Sequence, residues 1–259
     1  MTELVTGTIT DGLATITLSR PEAHNAMSWG LVDAFSDVAE RLASDPATRA
    51  FLLRAEGKNF CVGGDIRGFA DEADPAGFLG GLARRLHDGL RFLASHPAPV
   101  IVAVQGAAAG AGLSLVAGGD IVIAGRSANF SMAYTGIGLT ADGGATWLLP
   151  RVIGLRRTQE LAYLGRRLNA DEAAEYGLVT RVVDDETLAS EAEAVAKKIA
   201  AGPTGAFGGV KRLLADSGGT FDAHLDAEAV AIERAMRSAD AAEGMASFLG
   251  RRPAVFTGQ

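Results

Sequence analysis

Alternating apolar and polar positions open the chain. Ile16 and Leu18 alternate with Thr15 and Thr17, as a half-buried strand requires. Residues 4–8 and 13–18 flank an Asp-Gly dipeptide, which is typical of a tight hairpin turn. The pattern therefore predicts an antiparallel hairpin.

Helical periodicity follows the hairpin. Ser28 is a good N-cap residue and precedes apolar positions that recur at helical spacing up to Leu42. A second helix is indicated by Leu79, Leu82, Leu86, Leu90 and Leu93.

Short apolar strands and helical segments alternate over the next part of the chain. Strands are predicted at residues 50–54, 100–104, 121–124, 128–133 and 178–183, and helices at 146–149, 157–164 and 170–176. From about residue 186 the pattern is helical to near the end. Alternation of this kind predicts an α/β fold, and the helix-only tail predicts a separate module.

Composition narrows the range of functions. The 259-residue chain has a formal net charge of −7, which argues against general nucleic-acid binding. Its single cysteine, Cys61, excludes an intramolecular disulfide, and no metal-binding spacing of Cys and His occurs. The first residues lack a targeting pattern, and the longest apolar stretch is made of small residues. We therefore expect a cytoplasmic protein with no membrane partner.

Two glycine-rich segments could present free backbone N–H groups to a ligand. Gly63 and Gly64 follow the strand at 50–54, and a run of small residues at 106–112 follows the strand at 100–104. Backbone N–H groups without obstructing side chains suit a phosphate, a carboxylate or a developing oxyanion. A plain turn in the first segment and close helix packing in the second explain the same residues equally simply.

A third segment contains a carboxylate among small and apolar residues. Asp142 lies between Ala141 and a Gly-Gly pair, just before the helix predicted at 146–149. The residue is either an N-cap, which is a common use of Asp, or a buried carboxylate that moves protons.

Together these segments resemble the enoyl-CoA hydratase/isomerase (crotonase) superfamily, and the resemblance covers nearly the whole chain. Each motif is modest alone, but their order and spacing are specific. Residues 142–150 look particularly like the phenylacetate-pathway enoyl-CoA isomerase subgroup. The matching segments are Arg20-Pro21 with Asn25-Ala26, residues 60–66, 103–112, 138–154 and 170–183.

The resemblance implies an oxyanion hole made by the N–H groups of Gly64 and Ala111, which would hold the thioester oxygen. It implies a spiral of ββα units for residues 1–197, followed by a helical oligomerisation region at 198–259 that forms trimers or dimers of trimers. It implies an acyl-CoA thioester substrate and no cofactor or metal beyond the coenzyme A moiety. The expected substrate-binding residues are Ala23, His24, Val62, Asp65, Ile66, Gly110, Ser114 and Tyr134, of which Asp65 could instead brace its own loop.

The chain departs from the family pattern where hydratases resemble one another in having two Glu that position water. Ser114 and Tyr134 stand at the matching positions, and neither can act as a carboxylate base. Asp142 matches the single Asp of family isomerases. A double-bond shift needs one base that takes a proton from one carbon and returns it to another, so we expect Asp142 to be that shuttle.

Other activities of the family stay open. Asp142 also matches the nucleophile of a 4-chlorobenzoyl-CoA dehalogenase, and His87 lies near the region of its helper histidine, although a surface helix position is the simpler interpretation of His87. A thioester hydrolase, a hydratase with an unusual water-positioning set and a non-catalytic acyl-CoA-binding protein are further alternatives. Arg251 or Arg252 could contact coenzyme A phosphates or form a solvated basic pair.

Overall fold

The computed structural model describes residues 3–70, 72–216 and 218–259. Its strands are β1 (Val5–Thr10), β2 (Leu13–Leu18), β3 (Ala50–Ala55), β4 (Val100–Val104), β5 (Ala107–Ala109), β6 (Ile121–Gly125), β7 (Asn129–Ser131), β8 (Arg167–Asn169) and β9 (Arg181–Val183). Its helices are α1 (Trp29–Ser44), α2 (Ile66–Ala70), α3 (Pro75–Ser95), α4 (Ala111–Ala117), α5 (Ala145–Val152), α6 (Leu155–Leu164), α7 (Ala170–Glu175), α8 (Leu188–Ala200), α9 (Thr204–Ala215), α10 (Phe221–Met236) and α11 (Ala239–Leu249).

A six-stranded sheet with the order β1-β2-β3-β4-β6-β9 forms the centre of the molecule. The first two strands pair antiparallel through a two-residue turn, in which Asp11 and Gly12 both have positive φ, as a tight hairpin requires. The remaining neighbours pair parallel. The predicted hairpin and α/β class are thus confirmed.

Both faces of this sheet are buried, as is usual for parallel strands. Along β4, Val100, Val102 and Val104 face the larger core, which contains α1 and α3. Ile101 and Ala103 alternate with them and face a second core beneath α8. Ser28 Oγ accepts a hydrogen bond from the Leu31 N–H at the start of α1, so the predicted cap is present.

A smaller, three-stranded sheet has the order β5-β7-β8. In the chain, β5 follows β4 and β7 follows β6 after short connections. Two residues separate β4 from β5. The sequence predicts a turn that leads directly into a helix at this point, and the structure places the short strand β5 before the helix. This short strand positions the amino end of α4, which carries Ala111.

The predicted strand at 178–183 is shorter in the structure, where β9 covers only Arg181–Val183. The N–H groups of Leu178 and Val179 both donate to the Ala173 carbonyl, at 2.9 and 3.2 Å. These amides close the end of α7 and are therefore not free for a β ladder.

The helical tail is present and exposes much apolar surface in the single chain. Its predicted boundary at residue 198 falls within α8, which packs on the central sheet, and the division into two domains stays a prediction. No residue of α10 is buried. None of the described helices is both long and apolar enough to span a membrane. The exposed apolar side chains of the tail include Val210, Leu214, Phe221, Val230, Ile232, Met236, Phe248 and Leu249.

Candidate active site

One residue, Cys61, connects the two glycine-rich segments. Its N–H donates to the Ala107 carbonyl at 3.0 Å, and its carbonyl accepts from the Ala109 N–H at 2.9 Å. A bridge between Met27 and Gly64 fixes the other end of the same loop. The pairing places Gly63 and Gly64 beside the start of α4. Burial raises the pKa of the Cys61 thiol to about 12, so it is a packed core residue and not a nucleophile.

Close backbone contact explains why these positions are glycine. A Cβ at Gly63, whose φ is +95°, would lie 3.0 Å from the Ala109 carbonyl oxygen. A Cβ at Gly112 would lie only 2.2 Å from the Cys61 carbonyl oxygen. Side chains are therefore excluded from the junction of the two segments.

The junction leaves two backbone donors free. Within the part of the chain that the structure describes, the N–H groups of Gly64 and Ala111 have no protein acceptor. Their neighbours are paired, since Asp65 donates to the Met27 carbonyl and Gly110 to the Ser131 carbonyl. Both donors border the same cavity, as an oxyanion hole requires.

That cavity has a volume of about 540 Å³ and is mainly apolar. The expected site residues Val62, Ile66, Gly110 and Tyr134 line it together with Asp142. Sequence reasoning did not assign the apolar wall, although the leucine spacing of α3 signalled a buried face there. The described residues of this wall include Met27, Val32, Phe69, Leu79, Leu82, Leu86, Ile137 and Leu139.

Asp142 is the only carboxylate among the described residues that line the cavity. The Tyr134 hydroxyl donates to its Oδ1 at 2.5 Å. Ser114, which is fully buried, donates to the Asp142 main-chain carbonyl at 2.9 Å and lies 3.1 Å from the Tyr134 hydroxyl. Burial raises the pKa of the Tyr134 phenol above its ordinary value, and the Asp142 charge raises it further. Tyr134 therefore stays a neutral donor to the carboxylate.

The backbone after Asp142 explains how its side chain is free to face the cavity. α5 begins at Ala145 with Gly144 at its N-cap position, and no side chain caps it. The N-cap interpretation of Asp142 is therefore wrong. The Gly143 N–H donates to His87 Nε2 at 3.1 Å. His87 is half-buried, so the surface interpretation of this residue is wrong as well.

Several expected binding residues lie outside the cavity wall. Asp65 forms an ion pair with Arg20 at 2.7 Å, and the hydrogen bond from Arg20 lowers the pKa of the Asp65 carboxyl below its ordinary value. His24 is exposed and accepts a hydrogen bond from Asn59 Nδ2 at 3.1 Å, when its Nδ1 is unprotonated. Ala23 immediately precedes it, in a single 3₁₀ turn. These residues flank the loop that carries the first donor.

The basic pair near the carboxyl end is divided between two environments. Arg252 forms a bidentate ion pair with Glu243 at 2.6 and 2.7 Å, and Arg251 is exposed. Across residues 3–70, 72–216 and 218–259, no group of three or more His, Cys, Asp or Glu side chains could hold a metal ion.

Two free backbone donors and, among the described lining residues, a single carboxylate thus border one mainly apolar cavity. Residues 8–259 match the family model described as enoyl-CoA hydratase/isomerase, and the chain belongs to this family, the crotonase superfamily. It is an enzyme of the enoyl-CoA hydratase/isomerase family with the α/β crotonase fold.

Individual relatives have different activities in their names. The chain is 42% identical, over the full length of both proteins, to the 1,2-epoxyphenylacetyl-CoA isomerase of Escherichia coli (strain K12). It is 38% identical to a Rhodobacter capsulatus protein named a probable enoyl-CoA hydratase, covering 97% of this chain and 96% of that protein. The crystal structure of a Mycobacterium abscessus protein assigned as an enoyl-CoA hydratase/isomerase superimposes with a TM-score of 0.95 at 38% identity, covering 98% of this chain and 100% of that one.

Proposed function

We propose that this chain is an enoyl-CoA isomerase in which Asp142 is the single proton-shuttling base. The observation that carries the proposal is that Asp142 is the only carboxylate among the described lining residues, in a cavity that also holds the two free donors. A 1,3-shift of a double bond needs one base, whereas hydration needs water activated and positioned as well.

The proposed reaction starts from a 3-enoyl-CoA thioester. The Asp142 carboxylate removes a proton from the carbon next to the thioester carbonyl, and the electron pair moves onto the carbonyl oxygen. The N–H groups of Gly64 and Ala111 stabilise this dienolate, in which negative charge develops on oxygen. The carboxylic acid then returns the same proton to the carbon at the far end of the dienolate, which gives the 2-enoyl-CoA product.

By resemblance, Tyr134 and Ser114 match the positions of the hydratase glutamates, and in this proposal they hold the base instead. Their hydrogen bonds fix the Asp142 side chain and main chain respectively. The reaction requires no cofactor beyond the coenzyme A moiety of the substrate, since one carboxylate and two N–H donors supply every group that it uses.

The substrate-contact roles of Ala23, His24, Val62, Asp65 and Ile66 belong to the same proposal. Assembly into a trimer or a dimer of trimers, in the cytoplasm, belongs to it too. Support for the assembly comes from the uncovered apolar side chains of α10 and α11, which expose Phe221, Ile232 and Phe248. Sedimentation velocity of the purified chain tests the assembly directly.

The decisive experiment compares wild-type protein with Asp142→Asn on 3-enoyl-CoA and 2-enoyl-CoA thioesters, following isomerisation and hydration separately. We expect isomerisation to fall by about 10²–10⁴-fold, because the amide cannot accept the proton. Asp88→Asn, a change of the same kind at a carboxylate outside the cavity wall, is the matched control.

Four outcomes would overturn the proposal. Isomerisation at the wild-type rate in Asp142→Asn would mean that Asp142 is not the base. A wild-type protein that only hydrates indicates a hydratase with unusual water positioning. Halide release from 4-chlorobenzoyl-CoA, with Asp142 as nucleophile, or hydrolysis of the thioester indicates a dehalogenase or a thioester hydrolase instead. Stoichiometric binding without turnover on a broad acyl-CoA panel indicates a binding protein.

A further inference from the structure

We propose that His87 is a positioning residue, which accepts a hydrogen bond from the Gly143 N–H and thereby holds the Asp142–Gly143 peptide group in its working orientation. This inference rests on the proposed role of Asp142 as the base. His87 lies on α3, and its Nε2 is 3.1 Å from the Gly143 nitrogen.

The Asp142–Gly143 peptide group is bound at both of its polar atoms. Its carbonyl oxygen accepts from Ser114 Oγ at 2.9 Å and from the Ala145 N–H at 3.2 Å, and its N–H donates to His87 Nε2. The two side-chain partners come from different helices, since Ser114 belongs to α4 and His87 to α3. A planar peptide group held at opposite edges cannot rotate without breaking one of these bonds.

Within the segment, one hydrogen bond from the Ala145 N–H to the Asp142 carbonyl closes a turn, but it leaves the Gly143 N–H without a local partner. Gly143 and Gly144 have φ values of +59° and +81°, and two adjacent glycines allow many other backbone conformations. The orientation of the Gly143 N–H therefore depends on an acceptor from another element, which His87 supplies. A shift of about 1 Å in a catalytic group can cost about 100-fold in rate, which makes an external anchor important here.

The hydrogen bond also determines the tautomer of His87. A ring nitrogen that accepts from an N–H carries no proton, so the neutral ring is protonated at Nδ1. His87 does not line the cavity among the described residues, and it therefore acts through the backbone of the base and not on the substrate.

Three substitutions at His87 distinguish loss of the hydrogen-bond acceptor from a change in side-chain volume. Glutamine places its amide oxygen where Nε2 lies, asparagine places its polar atoms near Nδ1, and leucine supplies no acceptor. On whichever turnover reaction the Asp142→Asn comparison identifies, we expect kcat to fall by about 10- to 100-fold in His87→Leu and His87→Asn. His87→Gln should remain within about 3-fold of wild type, and KM should change little in all three because the substrate contacts are intact.

The tautomer of the His87 ring, measured spectroscopically in wild-type protein, does not depend on the reaction or on variant folding. In ¹⁵N-labelled protein, the His87 ring should be the Nδ1-protonated tautomer, and the Gly143 amide should shift in His87→Leu but not in Asp88→Asn. An Nε2-protonated ring overturns the proposal, and so does a His87→Leu variant with full kcat or a His87→Gln variant no better than His87→Leu. Failure of Asp142→Asn to affect turnover would instead reject the proposed function, and the ring tautomer would still report on the hydrogen bond.

Discussion

Replacing Ala111 by proline should remove one oxyanion donor without changing any other hydrogen bond. Ala111 is the first residue of α4 and follows Gly110 at the N-cap position. Proline is well tolerated at the first position of a helix, where its missing N–H has no partner within the helix. Because the Ala111 N–H has no protein acceptor in the described structure, we expect the free energy of unfolding to change by less than about 1 kcal/mol.

The effect on catalysis should be much larger. Loss of one oxyanion donor costs about 3 kcal/mol at the transition state, or about 10²–10³-fold in kcat. The assay is steady-state isomerisation of a 3-enoyl-CoA, together with calorimetric binding of a saturated acyl-CoA that cannot react. Binding of the unreactive thioester should fall much less than kcat, since the donor acts mainly on charge that develops during the reaction, whereas the proline Cδ that replaces the amide hydrogen crowds both complexes alike.

Leu155→Pro is the matched control. Leu155 is the exposed first residue of α6, follows Gly154 at the N-cap, and lies outside the cavity wall. Its N–H also lacks an acceptor among the hydrogen bonds of the described residues. A fall in kcat of less than 10-fold in well-folded Ala111→Pro would refute the donor role. An equal fall in Leu155→Pro, or an equal loss of unreactive-ligand binding, would refute it as well.

Two further predictions concern the scaffold around the site. Gly112→Ala should destabilise the fold by about 1–3 kcal/mol and lower kcat, because its Cβ would lie 2.2 Å from the Cys61 carbonyl oxygen and α4 would have to move. Chemical denaturation measures the first effect, with Gly209→Ala, at an unobstructed helix position, as the control. Asp65→Asn should remove a pH-dependent part of the stability. Arg20 lowers the pKa of folded Asp65, so this contribution is present above the unfolded pKa of about 4 and is lost as pH falls through the folded pKa.

The scaffold predictions have clear opposing outcomes. If Gly112→Ala and Gly209→Ala are equally stable, α4 can move away from the Cys61 loop without a cost in free energy, and the prediction is wrong. The prediction for Asp65 is tested by urea denaturation of wild-type protein and Asp65→Asn from pH 3 to 7. A wild-type-minus-variant stability difference that stays constant as the pH falls below about 4 would contradict the assigned ion pair.

Local patterns predicted much of the fold. The cap at Ser28, the limits of β4 and the hairpin all follow from signals within a few residues. The strand predicted at 178–183 was too long because the amides of Leu178 and Val179 are used by the end of α7. The pattern of apolar residues indicates which positions are buried, but it does not indicate which carbonyl oxygen will accept a hydrogen bond from a given amide.

The site was predictable where its groups are close in sequence or match a family motif, and less so where contacts are long-range. Asp142 and the glycine pair at 63–64 were found, and the structure places them around one cavity. The bond between His87 and Gly143 joins residues 56 positions apart on elements with no shared pattern, so its existence depends on how α3 docks. The same docking decides which leucines of α3 form the cavity wall.

Both donors of the proposed oxyanion hole are main-chain groups, whose spacing depends on how Cys61 pairs with β5. A single nucleotide change can delete a side chain, but almost none can delete a backbone amide. The proposed thioester-binding part of the site therefore depends on no functional side chain, while Asp142, the proposed base, and the side chains of Ser114 and Tyr134 that bond it can be exchanged individually. Divergence within such a scaffold can change the reaction on the acyl chain while the thioester continues to be held in the same way.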